Sequence, residues 1–135
     1  MPKSLLDTDT LSAIMKQNAN ALTHSRSYLV TYGVFTFSII TRYEILRGLN
    51  AKRAQTQIMA FEALCQISEV LPLTDAEILR AARIYGDLHR RGDLIGDADI
   101  LIASTALENG LTLVTNNENH FKRVPGLTLD NWVKM

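Results

Sequence analysis

Four acidic residues stand where their side chains could do chemistry together: Asp7 after a short apolar run, Glu44 inside a helical pattern, and Asp97 and Asp99 at the start of another. A parallel α/β sheet would bring these positions to one edge. Carboxylates gathered in one crevice repel each other unless a cation neutralises them, and oxygen donors suit a hard divalent ion. Such an ion beside a crevice is a means of attacking phosphate esters, because it lowers the pKa of water and offsets developing charge.

Each acid also has a plainer explanation. Asp7 sits at a strand-to-helix junction, where an aspartate commonly caps a helix. Yet Asp7-Thr8-Asp9-Thr10 holds two acids and two threonines, more than one cap needs. Asp9 or Thr8 is the better capping residue, with Asp9 otherwise a support to the site. Glu44 has Thr41, Ile45 and Gly48 on its side of the helix; the alternative is a solvated glutamate paired with Arg47. Asp97 follows Gly96 and is expected to cap its helix. Asp99 falls in the first helical turn, where the helix dipole favours an acid anyway. Thr115, Asn116 and Asn117 follow a strand and offer oxygens to a metal site or substrate, or are ordinary turn residues. His24, His89 and His120 are widely spaced and lack zinc-ligand spacing, and only His120 lies near the expected site.

The elements that must position these residues read as alternating strands and helices. Strands are expected at Ser4–Leu6, Val34–Phe37, Glu69–Leu73, Leu111–Thr115 and Leu127–Leu129. Helices are expected after Asp7, over Asn20–Tyr32, from Ile39 to about Leu49, over Arg53–Ser68, from the Thr74-Asp75-Ala76-Glu77 capping box to about Arg91, and over Asp97–Asn109. Asn116–Phe121 is a turn or short helix. Alternation of this kind predicts a parallel sheet with helices on both faces, with ligands at the carboxyl ends of the strands. Asp7 and Thr115-Asn116-Asn117 follow directly on strands and so share that edge.

Composition sets the bounds. The 135 residues suffice for one domain with a real core, and 47% are apolar. Lys plus Arg and Asp plus Glu each number 14, so a polyanionic partner would have to be held by a local basic surface. Arg42, with Arg47, Lys52 and Arg53 flanking the Glu44 helix, and Arg90-Arg91 and Lys122-Arg123 near the acid edge are the candidate rim to hold a phosphodiester backbone. The single cysteine, Cys65, excludes an intrachain disulfide and reads as buried filler in a reducing compartment. No apolar run approaches the roughly 20 residues needed to cross a bilayer, and the N-terminus has no signal-peptide pattern, so a cytoplasmic protein is expected.

Five segments in order now carry a resemblance: Leu5-Leu6-Asp7-Thr8-Asp9; Ser38 to Ile45 with Gly48; Ile95 to Ala103; Leu113 to Asn117 with Phe121; and Val124 through Trp132. Together they run nearly end to end, and the chain resembles PIN-domain ribonucleases, specifically the VapC toxins of bacterial VapBC toxin–antitoxin pairs. The resemblance implies a single PIN domain over residues 1–135, a three-layer α/β/α fold with a mostly parallel central sheet, and RNA cleavage dependent on Mg²⁺ or Mn²⁺. Asp7, Glu44 and Asp99 fall on the family's metal-binding acids. Asp7 and Asp99 are then direct ligands, and Glu44 is a ligand through water or orients the attacking water. Asn117 falls where many members carry a fourth acid. Thr115 and Asn117 would support the shell or bind substrate, with Asp97 and Asp9 in support. The implied partners are transfer RNA or a ribosomal RNA loop as substrate, a VapB-type antitoxin and a second copy of the chain.

Two other readings compete. Asp7-Thr8-Asp9 and Gly96-Asp97-Ala98-Asp99 imitate the acidic motifs of a haloacid-dehalogenase-type phosphatase, although Lys52 is the only lysine between them. A non-catalytic PIN fold that only binds partner or RNA is the other.

Overall fold

Apolar side chains at consecutive positions of a strand point to opposite faces, and two strands with such pairs, Leu5-Leu6 and Leu113-Val114, lie at the centre of this molecule. In the computed structural model, which describes residues 1–134, β1 (Ser4–Leu6) pairs in parallel with β4 (Thr112–Val114), setting Leu5 beside Leu113 and Leu6 beside Val114. β5 (Leu129–Asp130) extends this sheet in parallel on the far side of β4. β2 (Thr36–Ser38) pairs in parallel with β3 (Glu69–Leu71). β2 also lies alongside β1, but no ladder joins the two among the described residues.

The helices cover both faces. On one, Leu5 and Leu113 pack with Ala81, Ile84 and Leu88 of α5 (Asp75–Arg90) and with Ile100, Ala103 and Ala106 of α6 (Asp97–Glu108). On the other, Leu6 and Val114 pack against α1 (Thr8–Met15), α2 (Ala19–Tyr32), α3 (Ile39–Ala51) and α4 (Gln55–Gln66) through Leu11, Tyr28, Ile45 and Phe61. Trp132 closes this second core from the C-terminal segment, fully buried. A short helix, α7 (Glu118–Phe121), follows β4 and buries Phe121 in the first core. This is the expected three-layer α/β/α arrangement, and every pairing in it is parallel.

Local chemistry explains the boundaries. Ser38 caps α3 by accepting from the Ile40 N–H, and Thr74 and Glu77 form the anticipated capping box of α5. Two cap assignments are corrected. Asp7 itself caps α1, because the chain leaves β1 extended there and its carboxylate meets the Thr8 N–H; neither Thr8 nor Asp9 does so. Gly96, not Asp97, is the capping position of α6, and Asp97 is the first helical residue. α4 begins at Gln55 rather than Arg53, because Arg53 takes a left-handed conformation (φ 53°) that no helix contains. β5 lies two residues beyond the expected Leu127, where the Leu113 N–H bonds to the Thr128 carbonyl. Cys65 is half-buried rather than sealed in the core.

Candidate functional site

The first requirement for a shared site is met by the backbone. The Asp7 N–H donates to the Val114 carbonyl at 2.9 Å, and the Thr115 N–H donates to the Asp130 carbonyl at 2.9 Å. Asp7 and Thr115 therefore sit just past the carboxyl ends of adjacent parallel strands, as the sequence predicts.

Their side chains meet. Thr115 Oγ1 donates to Asp7 Oδ2 at 2.7 Å, while the Thr8 N–H donates to Asp7 Oδ1 at 2.8 Å. Asp7 is 5% exposed, and its pKa rises from the ordinary 3.8 to about 7. Burial is the main cause, and the charges of Asp9 and Asp99 add to it against the lowering effect of the two hydrogen bonds. Asp9, in the first turn of α1, accepts from the Asn116 N–H at 3.1 Å and from Thr10 Oγ1 at 3.2 Å; burial raises its pKa too. No lysine or arginine among the described residues forms an ion pair with either acid.

Glu44 joins this group through one hydroxyl. Thr8 Oγ1 lies 2.6 Å from Glu44 Oε1 and 3.1 Å from Thr41 Oγ1. A hydroxyl has one proton, and the shorter distance assigns it to the carboxylate, which leaves the Thr8 oxygen to accept from Thr41. The alternative partner, Arg47, is present but distant, at 3.8 Å from the other carboxylate oxygen and largely exposed. On the opposite wall, Asp99 Oδ2 lies 3.1 Å from His120 Nδ1, which is in turn 2.9 Å from Asn117 Nδ2. The Asn117 N–H donates to Thr115 Oγ1 at 2.9 Å, tying this wall to Asp7.

Asp7, Glu44, Thr115, Asn117 and Asp99 are thus linked at one sheet edge by hydrogen bonds through Thr8 and His120, and Asp9 joins them through the Asn116 N–H and its charge on Asp7. Asp97 is exposed at the end of α6 and is not drawn in. No three His, Cys, Asp or Glu side chains among the described residues converge closely enough to grip an ion as placed. Glu44 is turned to Thr8 and Asp99 to His120. The donor chemistry nevertheless fits a hard divalent ion: carboxylate oxygens that oppose one another, the most buried of them raised to a pKa of about 7 by burial and by its acidic neighbours.

The basic rim is less open than the sequence suggests. Arg42 is spent on Glu62 of α4, which the helix pairing places beside it, and lies 3.5 Å from Cys65 Sγ. Arg91 bonds to Asp87, Asp93 and the Arg123 carbonyl, and Arg123 reaches back to the Leu94 carbonyl at 3.1 Å. Arg90 and Lys122 are exposed. Lys52, expected beside the Glu44 helix, and Lys16, outside that expectation, line a cavity of about 470 Å³ that borders Thr8 and Glu44 and runs between α1, α3 and α4 over Ile45, Leu49 and Leu64.

Thr8 and His120 are the functional positions that sequence reasoning underrated. Thr8 reads as a helix start and His120 as a loop residue. The one available signal for His120 is its spacing of three from Asn117 across a helical turn.

Comparison with known proteins places these features in a family. The profile described as "PIN domain" matches residues 4–127. The tRNA(fMet)-specific endonuclease VapC of Salmonella typhimurium is 31% identical over 134 residues, covering 98% of this chain and 99% of the relative. Ribonuclease VapC2 of Rickettsia felis is 27% identical over 131 residues, covering 96% and 98%. Among solved structures, VapBC2 from Rickettsia felis, bound to a DNA fragment from its promoter, superposes with a TM-score of 0.85 at 25% identity over 96% of this chain and 98% of that one. The matched stretch begins at the first residue of β1 and ends just short of β5, taking in every acid of the crevice, and on that extent the chain belongs to the PIN domain family.

Proposed function

We propose that this chain is the toxin of a VapBC-type toxin–antitoxin pair: an endoribonuclease, a single PIN domain over residues 1–135, that hydrolyses RNA phosphodiester bonds with Mg²⁺ or Mn²⁺. The observation that carries the reading is Asp7, buried at a strand end, its pKa raised to about 7 chiefly by burial and further by the charges of Asp9 and Asp99. The VapC relatives, matched over nearly their whole length, support the same activity. The phosphatase alternative is not the family matched, and Lys52 stands at the end of α3 facing the cavity rather than at a strand end.

Asp7 and Asp99 would hold the cation, and Glu44 would reach it through water or orient the attacking water. When bound, the ion lowers the pKa of water and offsets charge on the phosphorus in the transition state. The chain supplies the rest. Thr115 and the Thr8 N–H fix both oxygens of Asp7, so the carboxylate cannot turn away from the crevice. Thr8 Oγ1 holds Glu44 on the same side, one residue from Asp7 in sequence. In the hydrolysis a water oxygen forms a bond to phosphorus, one bridging P–O bond breaks, and the departing oxygen is protonated from solvent.

A VapB-type antitoxin and a second copy of the chain are the proposed partners, and the cytoplasm the proposed compartment. Among the described residues no helix is long and apolar enough to cross a membrane. A relative named for tRNA(fMet) makes transfer RNA the first substrate to try, with ribosomal RNA loops next. The deciding experiment incubates the purified chain with total bacterial RNA in Mg²⁺, Mn²⁺ or EDTA, beside Asp7→Asn and Asp99→Asn. Discrete cleavage that needs the ion and disappears in both variants is expected. Full cleavage by both variants overturns the assigned site.

A further inference from the structure

Tyr43 precedes Glu44 on α3 and is 59% exposed, and it stacks on no other ring among the described residues. Its one close partner is a cation. The Arg47 guanidinium carbon lies 5.3 Å from the ring centroid. The guanidinium takes one face of the ring, and a ring this exposed keeps room for a second planar group.

Arg47 is itself uncommitted. It is 60% exposed, and its Nη2 is 3.8 Å from Glu44 Oε2, too far for a hydrogen bond. Arg42 and Arg91, by contrast, are held by Glu62 and by Asp87 and Asp93. Helix geometry puts the three α3 side chains in order. At about 100° per residue, Arg47 stands about 40° round the axis from Tyr43 and about 60° from Glu44, between the two. The strip therefore runs from carboxylate to guanidinium to aromatic ring, leading away from the acidic edge. Ile39 and Asn50, both exposed, share the ring's side of the helix.

We propose that Tyr43 and Arg47 form a platform for one unpaired nucleotide of the RNA beside the bond to be cut, the base on the ring and a phosphate on the guanidinium. The inference rests on the ribonuclease reading above and adds how the strand is held. Unpaired bases stack on aromatic rings whatever their sequence, because every base has a π face. A base inside a duplex has both faces covered by its neighbours, so this platform selects loops, bulges and ends. A partner protein is the less fitting occupant. The apolar area here is one ring and one isoleucine, which suits a single base, and the cation and amide beside it suit a phosphodiester strand.

The test measures fluorescence anisotropy of a labelled single-stranded RNA dodecamer with the full chain in CaCl₂, where intact RNA on a gel confirms that binding alone is followed. Tyr43→Phe keeps the ring and should bind within about twofold of wild type. Tyr43→Leu keeps apolar bulk without the ring, and its dissociation constant should rise about tenfold or more. For a blunt duplex of the same sequence the change should stay below about twofold. Arg47→Gln should weaken binding and lower the salt slope by about one. Melting curves and sedimentation velocity should be the same for all four proteins. In Mn²⁺, Tyr43→Leu should need more total bacterial RNA for half-maximal cleavage and cut at the same positions.

Tyr43→Leu binding and cutting like wild type overturns the platform and leaves the ribonuclease reading standing. Wild type that neither binds nor cuts RNA overturns both. Tyr43→Phe as weak as Tyr43→Leu overturns stacking, since the hydroxyl would then be the contact. A changed association state in Tyr43→Leu assigns this face to a second copy of the chain and overturns the platform.

Discussion

Thr115 and Asp7 are 108 positions apart in the chain and 2.7 Å apart in space, hydroxyl to carboxylate, with both residues essentially sealed from solvent. The bond joins the carboxyl end of β4 to that of β1. It also opposes the burial that raises the Asp7 pKa. Replacing Thr115 by valine keeps the shape and removes the donor. The expected result is a further rise in the Asp7 pKa, a loss of roughly 1.5–3 kcal/mol of stability, and a higher Mn²⁺ concentration for half-maximal RNA cleavage. Chemical denaturation and a metal titration measure the two effects; an unchanged metal requirement would count against a role for this bond in the site.

Asp7 makes the ion-free protein sensitive to pH in a predictable direction. A carboxyl whose folded pKa lies above its unfolded one costs stability when it must ionise. For Asp7 that cost grows as pH rises from about 3.8 to about 7 and is constant above. Asp7→Asn lacks the charge. In EDTA, Asp7→Asn should match wild type near pH 4 and exceed it at pH 8, by on the order of 2–4 kcal/mol. Melting curves across that range decide the matter, and a variant less stable than wild type at pH 8 would refute the electrostatic account.

Divalent ions should reverse the penalty. Millimolar Mg²⁺ or Mn²⁺ is expected to raise the melting temperature of wild type, more at pH 8 than at pH 6, because a proton on Asp7 competes with the ion. In Asp7→Asn the ion should leave the melting temperature nearly unchanged. Calcium-free and EDTA controls separate this from general salt effects.

Thr8→Val tests whether Glu44 needs its hydroxyl anchor. The carboxylate would lose its 2.6 Å partner and gain freedom to swing toward Arg47. Cleavage is expected to slow by about tenfold or more at saturating metal, with Glu44→Gln as severe and the double variant no worse than Glu44→Gln alone. Additive losses in the double variant would show that the two residues act separately.

Arg42 and Lys52 should respond in opposite ways. Arg42 is committed to Glu62, so Arg42→Ala should lower the melting temperature slightly and leave RNA binding unaltered. Lys52 lines the cavity beside the crevice, so Lys52→Glu should weaken RNA binding and flatten its salt dependence. Binding measured at two salt concentrations distinguishes them.

Much of this arrangement is legible in the sequence because backbone geometry dictates it. Asp7 and Thr115 each follow an apolar run of strand-forming residues, and parallel strands bring their carboxyl ends together whatever the side chains do. Glu44 is legible as a position on α3, but its bond to Thr8 depends on rotamers meeting across 36 residues, which no local pattern encodes. The same holds for Arg42, whose charge reads as a free surface group until α4 lays Glu62 beside it. Asp97 is expected as a helix cap and Asp99 as a site acid of the first turn, and helix geometry separates them as expected. Two residues apart on a helix, they point about 200° apart around its axis, so only Asp99 turns inward.

The missing ladder between β1 and β2 has a mechanical meaning for the site. Asp7 is carried by β1, Asp99 packs through α6 on the same half of the sheet, and Glu44 follows β2 on the other half. Two hydrogen-bonded plates therefore meet along a seam fastened by side-chain packing, by the Lys3–Glu69 ion pair at 3.1 Å and, at the acidic edge, by the hydroxyl of Thr8. The width of the crevice is thus adjustable without breaking a single strand–strand hydrogen bond.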